Sequence, residues 1–411
     1  MVDFAELMQW LSVPRPNGSA AARATARRLQ AWLAGHGIPS RVHEFRLYPY
    51  YFEAIGVWLI VSRTLLAAAV WGQWGWATLL IALIGLPGGL VDVLWRFPLV
   101  SWPGACRGEN LLIEFDPPGG PAERELVLSA HYDSKTEPLD HERRMFFLRA
   151  LPLGIVLTVL VGLLGPIELW LRGAGSPWAP AAYWTGAALS ALLLFLAWGL
   201  GLNLTLGRFV RPSQGAVDNG AACAAMLGLA ERLAREPGLL QRTRVTLALF
   251  AGEEVNMQGS RAYVRDRAWP VPAAAVNLEI LAQDGDYVFW EQDGSVFKLT
   301  PTAPEVNALV TAAVTQATGQ APCPAGPVNS DCGSFLAAGI PATTLGTRDR
   351  RLGFGGLHGP ADNLGRIVMA RLPEAVEILA GLVALSRLAK PADEQRRGER
   401  PDGRGGEQGR V

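Results

Sequence analysis

The stretch TLALFAGEEVNMQGSRAYV, residues 246–264, decides how this chain is read. An apolar run from Val245 to Phe250 predicts a buried strand, and it ends at Gly252 with two adjacent acids, Glu253 and Glu254. Side chains alternate across a strand and an unpaired carboxylate is costly to bury, so packing gives no reason for two neighbouring acids there. Gly252 lets the chain turn, which would aim both acids at one cavity.

Around this strand, from Arg211 onward, helix-like stretches (AACAAMLGLAERLARE, PEVNALVTAAVTQATG, LPEAVEILAGLVALSRLA) alternate with short apolar strands (RVTLALF, AAAVNLEIL, PATTLG). That alternation predicts an α/β fold, a sheet covered by helices. Near the start, Ala21, Leu29, Trp32 and Leu33 follow a helical period, Gly35–Gly37 stops it, and SRVHEFRL alternates like a strand.

Composition narrows the function classes. The 411 residues carry 37 basic and 37 acidic side chains, a net charge of zero that gives no reason to expect nucleic acid. Apolar residues make up 50% of the chain, with 14 Trp, and they are unevenly spread. The four cysteines (Cys106, Cys223, Cys323, Cys332) show no CxxC spacing and read as reduced thiols. The start, MVDFAELMQWLSVPRPNGS, lacks the basic and apolar regions of a secretory signal.

Four apolar runs stand out: Phe52 to Gly72, Trp76 to Trp95, Ala150 to Trp170 and Ala181 to Leu202. Roughly 20 helical residues cross a bilayer core. Trp and Tyr near the run ends favour membrane helices over buried core helices, although Arg63 in the first run is expensive in lipid. Two hairpins return the chain to its starting side, so the soluble pieces can form one domain interrupted twice. The expected division is 1–50, 101–146 and 206–390 for that domain, 51–100 and 147–205 for the hairpins, and 391–411 for a charged, Gly-rich, disordered tail. Arg41, Arg46, Arg96, Arg107, Arg143, Arg144, Arg149, Arg208 and Arg211 flank the runs on the domain side, which points that side to the cytoplasm.

Of five histidines, two sit in telling contexts. LVLSAHYDSK delivers His131 to the end of an apolar strand, where open α/β sheets form sites, with Asp133 two positions on. By itself that reads more readily as a polar strand end. Asp218 in GAVDNGAA precedes a helix and would ordinarily be an N-cap. Glu279 lies inside the apolar strand AAAVNLEIL, and His358 lies in the loop GFGGLHGPADNL. Together, His131, Asp218, Glu254, Glu279 and His358 can hold two divalent ions with one carboxylate bridging, and Glu253 is a spare acid. Imidazole with carboxylate suits zinc, with manganese or cobalt also compatible.

AHYDS, GAVDNGAA, FAGEE, GSRAYV, VNLE, NSDCGSF and LHGPADN occur in the order of the M28 zinc metallopeptidases, and the chain resembles that family outside the hydrophobic runs. The resemblance implies a zinc-exopeptidase-like α/β fold: a mixed, mostly parallel central sheet flanked by helices, here with two inserted transmembrane helical hairpins. It implies that His131 and Glu279 bind one zinc (Zn2+), that Glu254 and His358 bind the other, and that Asp218 bridges both. Glu253 would be the general base, Asp133 would orient His131, and Asp331 would stand behind the ligands. Three positions depart from the family pattern: Glu279 is usually Asp, Cys332 is often His or Tyr, and Leu357 is often Tyr. The oxyanion-stabilising group is therefore unassigned.

The implied function is a membrane-bound dinuclear zinc exopeptidase, an aminopeptidase acting on peptide substrates at the surface of a lipid bilayer. HYDSK also resembles the glutaminyl cyclase branch, where one zinc serves intramolecular amide attack. A non-catalytic membrane receptor or scaffold on the same fold is the third reading, and retention of every ligand type and of Glu253 argues against it.

Overall fold

The computed structural model describes residues 2–94 and 97–386, the side chains of residues 141 and 142 excepted. Arg96 and the segment 391–411 read above as a tail lie outside the described residues. Ten strands follow in chain order: β1 (Arg41–Leu47), β2 (Cys106–Phe115), β3 (Arg124–His131), β4 (Thr243–Phe250), β5 (Ala273–Glu279), β6 (Gly285–Trp290), β7 (Gln292–Ser295), β8 (Lys298–Pro301), β9 (Cys323–Ala325) and β10 (Ala342–Asp349). The α-helices are α1 (Phe4–Leu11), α2 (Ala20–Gly35), α3 (Tyr51–Trp71), α4 (Trp76–Leu94), α5 (His141–Arg149) and α6 (Leu151–Gly173). Then come α7 (Ala179–Thr205), α8 (Ala221–Arg235), α9 (Gln258–Asp266), α10 (Pro304–Thr318), α11 (Cys332–Ala337) and α12 (Arg371–Ser386).

Eight strands form one sheet in the order β1-β2-β4-β3-β5-β10-β6-β9, mixed and mostly parallel, and β7 pairs with β8 apart from it. The centre is parallel because β3, β4 and β5 are joined through helices rather than tight turns. These strands are buried on both faces, and β4 reads as a continuous apolar run for that reason. Helix α8 is buried along nearly its whole length, which an Ala- and Leu-rich sequence permits by letting the helix lie close to the sheet.

Register sets the site. His131 at the end of β3 pairs with Phe250 at the end of β4, and Ser129 pairs with Asn277 two residues before the end of β5. Three parallel strands thus finish at one edge, where His131, the Glu253–Glu254 turn and Glu279 project together.

Helices α3, α4, α6 and α7 pack as a bundle, α3 on α7 and α4, and α6 on α7 and α4. All four are long and apolar enough to cross a membrane. Their outward faces carry large apolar side chains, among them Leu65, Leu83, Val156, Trp170, Trp184 and Phe195. Gly56 of α3 meets Gly201 of α7 so closely that a Cβ would lie 2.8 Å from the opposing carbonyl oxygen. Arg63, costly in lipid if it faced outward, is turned inward and donates to the Gly85 carbonyl and to Ser62 Oγ, both at 2.8 Å.

Candidate metal centre

The turn after β4 begins at Gly252, whose φ of +75° is a left-handed conformation that suits glycine; a Cβ there would also lie 2.9 Å from Leu47 Cδ1. The turn sends Glu253 and Glu254 to neighbouring but distinct places. Glu254 Oε1 lies 3.1 Å from His358 Nε2, whereas Glu253 Oε2 lies 3.9 Å from His131 Nε2.

Asp218 stands between the two histidines. Its Oδ1 is 3.1 Å from His131 Nε2 and its Oδ2 is 3.1 Å from His358 Nε2. Glu279 Oε2 is 3.4 Å from His131 Nε2. Ligand-type atoms therefore gather in two triads, His131–Asp218–Glu279 and Asp218–Glu254–His358, sharing Asp218, with the atoms of each within 4.8 Å of one another. All these side chains are buried.

Electrostatics shows what the cluster lacks. Burial alone would lower the His131 imidazole, but Glu279 and Glu253 hold it well above the usual histidine range. For Asp218 burial works upward, yet hydrogen bonds and charge from His131 and His358 keep it far below the carboxylate range. Burial drives Glu253 well above that range, and Glu254, Glu279 and Asp331 add to the rise. Burial likewise takes Asp331 to about 8. Four buried carboxylates, Asp218, Glu254, Glu279 and Asp331, and the half-buried Glu253 stand beside two histidines. Two buried atoms aimed into the cluster, His131 Nε2 and Glu254 Oε1, have no partner outside it. Imidazole nitrogens and carboxylate oxygens gathered in two buried triads fit divalent cations.

Supporting groups set the orientation of these side chains. The carboxylate of Asp133 accepts from Asn17 Nδ2 at 2.6 Å and from the Glu254 amide at 3.1 Å. His131 Nδ1 is nearer the Asp133 backbone carbonyl, at 3.2 Å, than its carboxylate, at 3.7 Å. The orienting role expected of the Asp133 side chain thus falls more on its main chain, while its carboxylate fastens the Glu254 turn. Glu279 accepts 3.0 Å bonds from Asn277 Nδ2 on one oxygen and from Asn219 Nδ2 on the other. Asp362 accepts from the Val217 amide and Ser213 Oγ, both at 2.7 Å, and so fixes the loop that carries Asp218.

Arg15 is fully buried and donates to carbonyls of three separate segments: Leu11 and Val13, Tyr132, and Gln214 and Gly215. It ties the backbone next to His131 to the backbone before Asp218. Glu137 lies behind His358, its Oε2 3.5 Å from Nδ1. Burial would raise Glu137, but Arg144 and then Lys135 outweigh it and keep the carboxyl well below its usual range. His358 itself has φ +60°, uncommon for a residue with a Cβ and in keeping with a constrained site.

Sequence reasoning named every member of the two triads and Asp133, and missed the other supports. RPNGS, VNLE and LHGPADN contain Arg15, Asn17, Asn277 and Asp362, so proximity to a motif was the available signal. Glu137 and Arg144 gave none, being ordinary charged residues in a connecting segment.

The fold is that of the zinc exopeptidases. Residues 204–383 match the family model "Peptidase family M28". Among solved structures, the chain is similar to an aminopeptidase from Aneurinibacillus sp. strain AM-1, at 14% identity and a TM-score of 0.55, covering 95% of this chain and 94% of that one. It is similar to a glutaminyl cyclase from Bacteroides thetaiotaomicron, bound to N-acetylhistamine, at 12% identity and TM-score 0.53, covering 93% and 97%. A Zn-dependent exopeptidase from Parabacteroides distasonis gives 13% identity and TM-score 0.52, covering 93% and 96%. No curated protein matches the sequence.

Proposed function

We propose that the chain is a membrane-embedded, dinuclear zinc exopeptidase that removes residues from the amino end of peptides. The observation that carries this reading is Asp218, which places one carboxylate oxygen 3.1 Å from each of the two histidines. His131, Asp218 and Glu279 would hold one ion, and Asp218, Glu254 and His358 the other. Bound there, two zinc ions supply Lewis acidity toward the scissile carbonyl and acidify a water.

The protein does the rest. Glu253 belongs to neither triad, so its carboxylate is free to take a proton from the attacking water and deliver it to the leaving amine. Asp331 is buried nearby, and its charge adds to the rise of the Glu253 carboxyl above the usual range. Leu357 offers no hydroxyl to a developing oxyanion, so no side chain is assigned to that role.

In this reading the peptidase domain comprises 1–50, 101–146 and 206–390, and the hairpins 51–100 and 147–205 span a bilayer. The apolar outer face of the bundle supports that placement, and the arginines flanking the spans support a cytoplasmic domain.

The test uses detergent-purified full chain, zinc, and three peptides: one with a free amino terminus, its N-acetylated form, and one beginning with Gln. Mass spectrometry should show water added across the first peptide bond of the free peptide and no cleavage of the acetylated one. Loss of ammonia from the Gln peptide without hydrolysis would make the chain a cyclase instead. Cleavage from the carboxyl end would reverse the assigned direction.

A further inference from the structure

The hydrophobic bundle approaches the candidate metal centre at Glu137. Its carboxylate is buried beside His358, with Oε2 3.5 Å from Nδ1. A histidine that gives Nε2 to a metal carries its proton on Nδ1 and needs an acceptor there to fix ring and tautomer. Glu137 Oε2 is the acceptor-type oxygen beside Nδ1, at 3.5 Å, with the Arg144 guanidinium nearer, at 2.9 Å. The position of Glu137 is set from two sides, and each side leads into a different hairpin.

On one side is α5, the short helix that runs into α6. Arg144 Nη1 lies 2.9 Å from Glu137 Oε2 and 2.9 Å from His358 Nδ1. A guanidinium only donates, so Arg144 cannot replace the carboxylate as acceptor; it anchors it. One turn further along α5, Phe147 packs on Phe195 of α7 with 5.8 Å between ring centroids. On the other side, Lys135 Nζ is 2.5 Å from Glu137 Oε1 and 4.3 Å from the ring centroid of Phe52, in the first turn of α3.

We infer that Arg144 and Lys135 are positioning residues through which the two hairpins, acting on Glu137, set the orientation of His358. This rests on the dinuclear reading above. It makes the bundle part of the centre's construction rather than an anchor alone, and it makes the two ions unequal, because only the Asp218–Glu254–His358 triad is supported from the bundle.

Zinc affinity is read by competition with a chromophoric chelator on full-length protein in detergent, alongside the Tm of the zinc-free protein and kcat and KM. Arg144→Met should weaken one of the two ions by about 10- to 100-fold and leave the other unchanged. Its kcat should fall with KM little altered, and Arg144→Lys should recover most of the lost affinity. Glu137→Gln, which keeps the shape but loses the charge, should show the same one-ion loss and stands in if Arg144→Met does not fold. Two wild-type affinities in the folded variants would overturn the inference. So would equal loss of both ions in step with a lower zinc-free Tm, the mark of a merely structural role. A wild-type protein that binds no zinc would instead remove the functional reading itself.

Discussion

The sheet edge and the helical bundle both bury polar side chains, and they treat them in opposite ways. In the bundle and the turn after it, several such groups are satisfied close at hand. Asp92 accepts from the amides of Leu99, Val100 and Ser101 at 3.0–3.1 Å, and Thr78 Oγ1 donates to the Gly75 carbonyl at 2.8 Å. At the sheet edge, carboxylates and imidazoles crowd together, and His131 Nε2 and Glu254 Oε1 have no partner outside the cluster. Local satisfaction marks a group that serves the fold; a surplus left over marks a group that waits for a ligand.

The contrast can be broken or sharpened by substitution. The largest effect is expected for Asp218→Asn, which removes the shared carboxylate from both triads: turnover should fall by about 10^4-fold or more, as for groups that act as a unit, with both zinc affinities weakened. Chelator competition and initial rates check it. Next come the supports. Asp362→Ala and Asn17→Ala should each cost about 10- to 100-fold in zinc affinity or activity, since one releases the Asp218 loop and the other the Asp133–Glu254 link. Gly252→Ala should destabilise by about 1 kcal/mol or more, from positive φ and the close approach of Leu47, measured as a drop in Tm of the zinc-free protein. The smallest effect is expected in the bundle. Arg63→Leu exchanges a buried cation bonded to a carbonyl for an apolar side chain and should change Tm little or raise it, with zinc affinity unchanged. A large loss of zinc there would dissolve the distinction between the regions.

Much of this was legible in the sequence because its signals are local. The apolar run before GEE, the glycine that turns the chain and the chemistry of histidine and carboxylate are written in consecutive residues. The helical runs were also readable, with α7 extending beyond its expected 181–202 to Ala179–Thr205. What stayed hidden depends on partners distant in sequence. Arg15 is recognisable as a knot only when Tyr132 and Gly215 close around it, and Glu137 matters only because His358 folds back beside it. Strands β6 to β9 went unread because they are short, and their pairing is decided across the sheet rather than by alternation.

The central claim is that adjacent glutamates divide the work, Glu254 holding an ion and Glu253 moving the proton. Measuring bound zinc and kcat together on Glu254→Gln and Glu253→Gln tests it most directly. The account expects Glu254→Gln to lose zinc and Glu253→Gln to keep both ions while kcat falls by about 10^2- to 10^4-fold. A Glu253→Gln protein that keeps its zinc and its full turnover would contradict it.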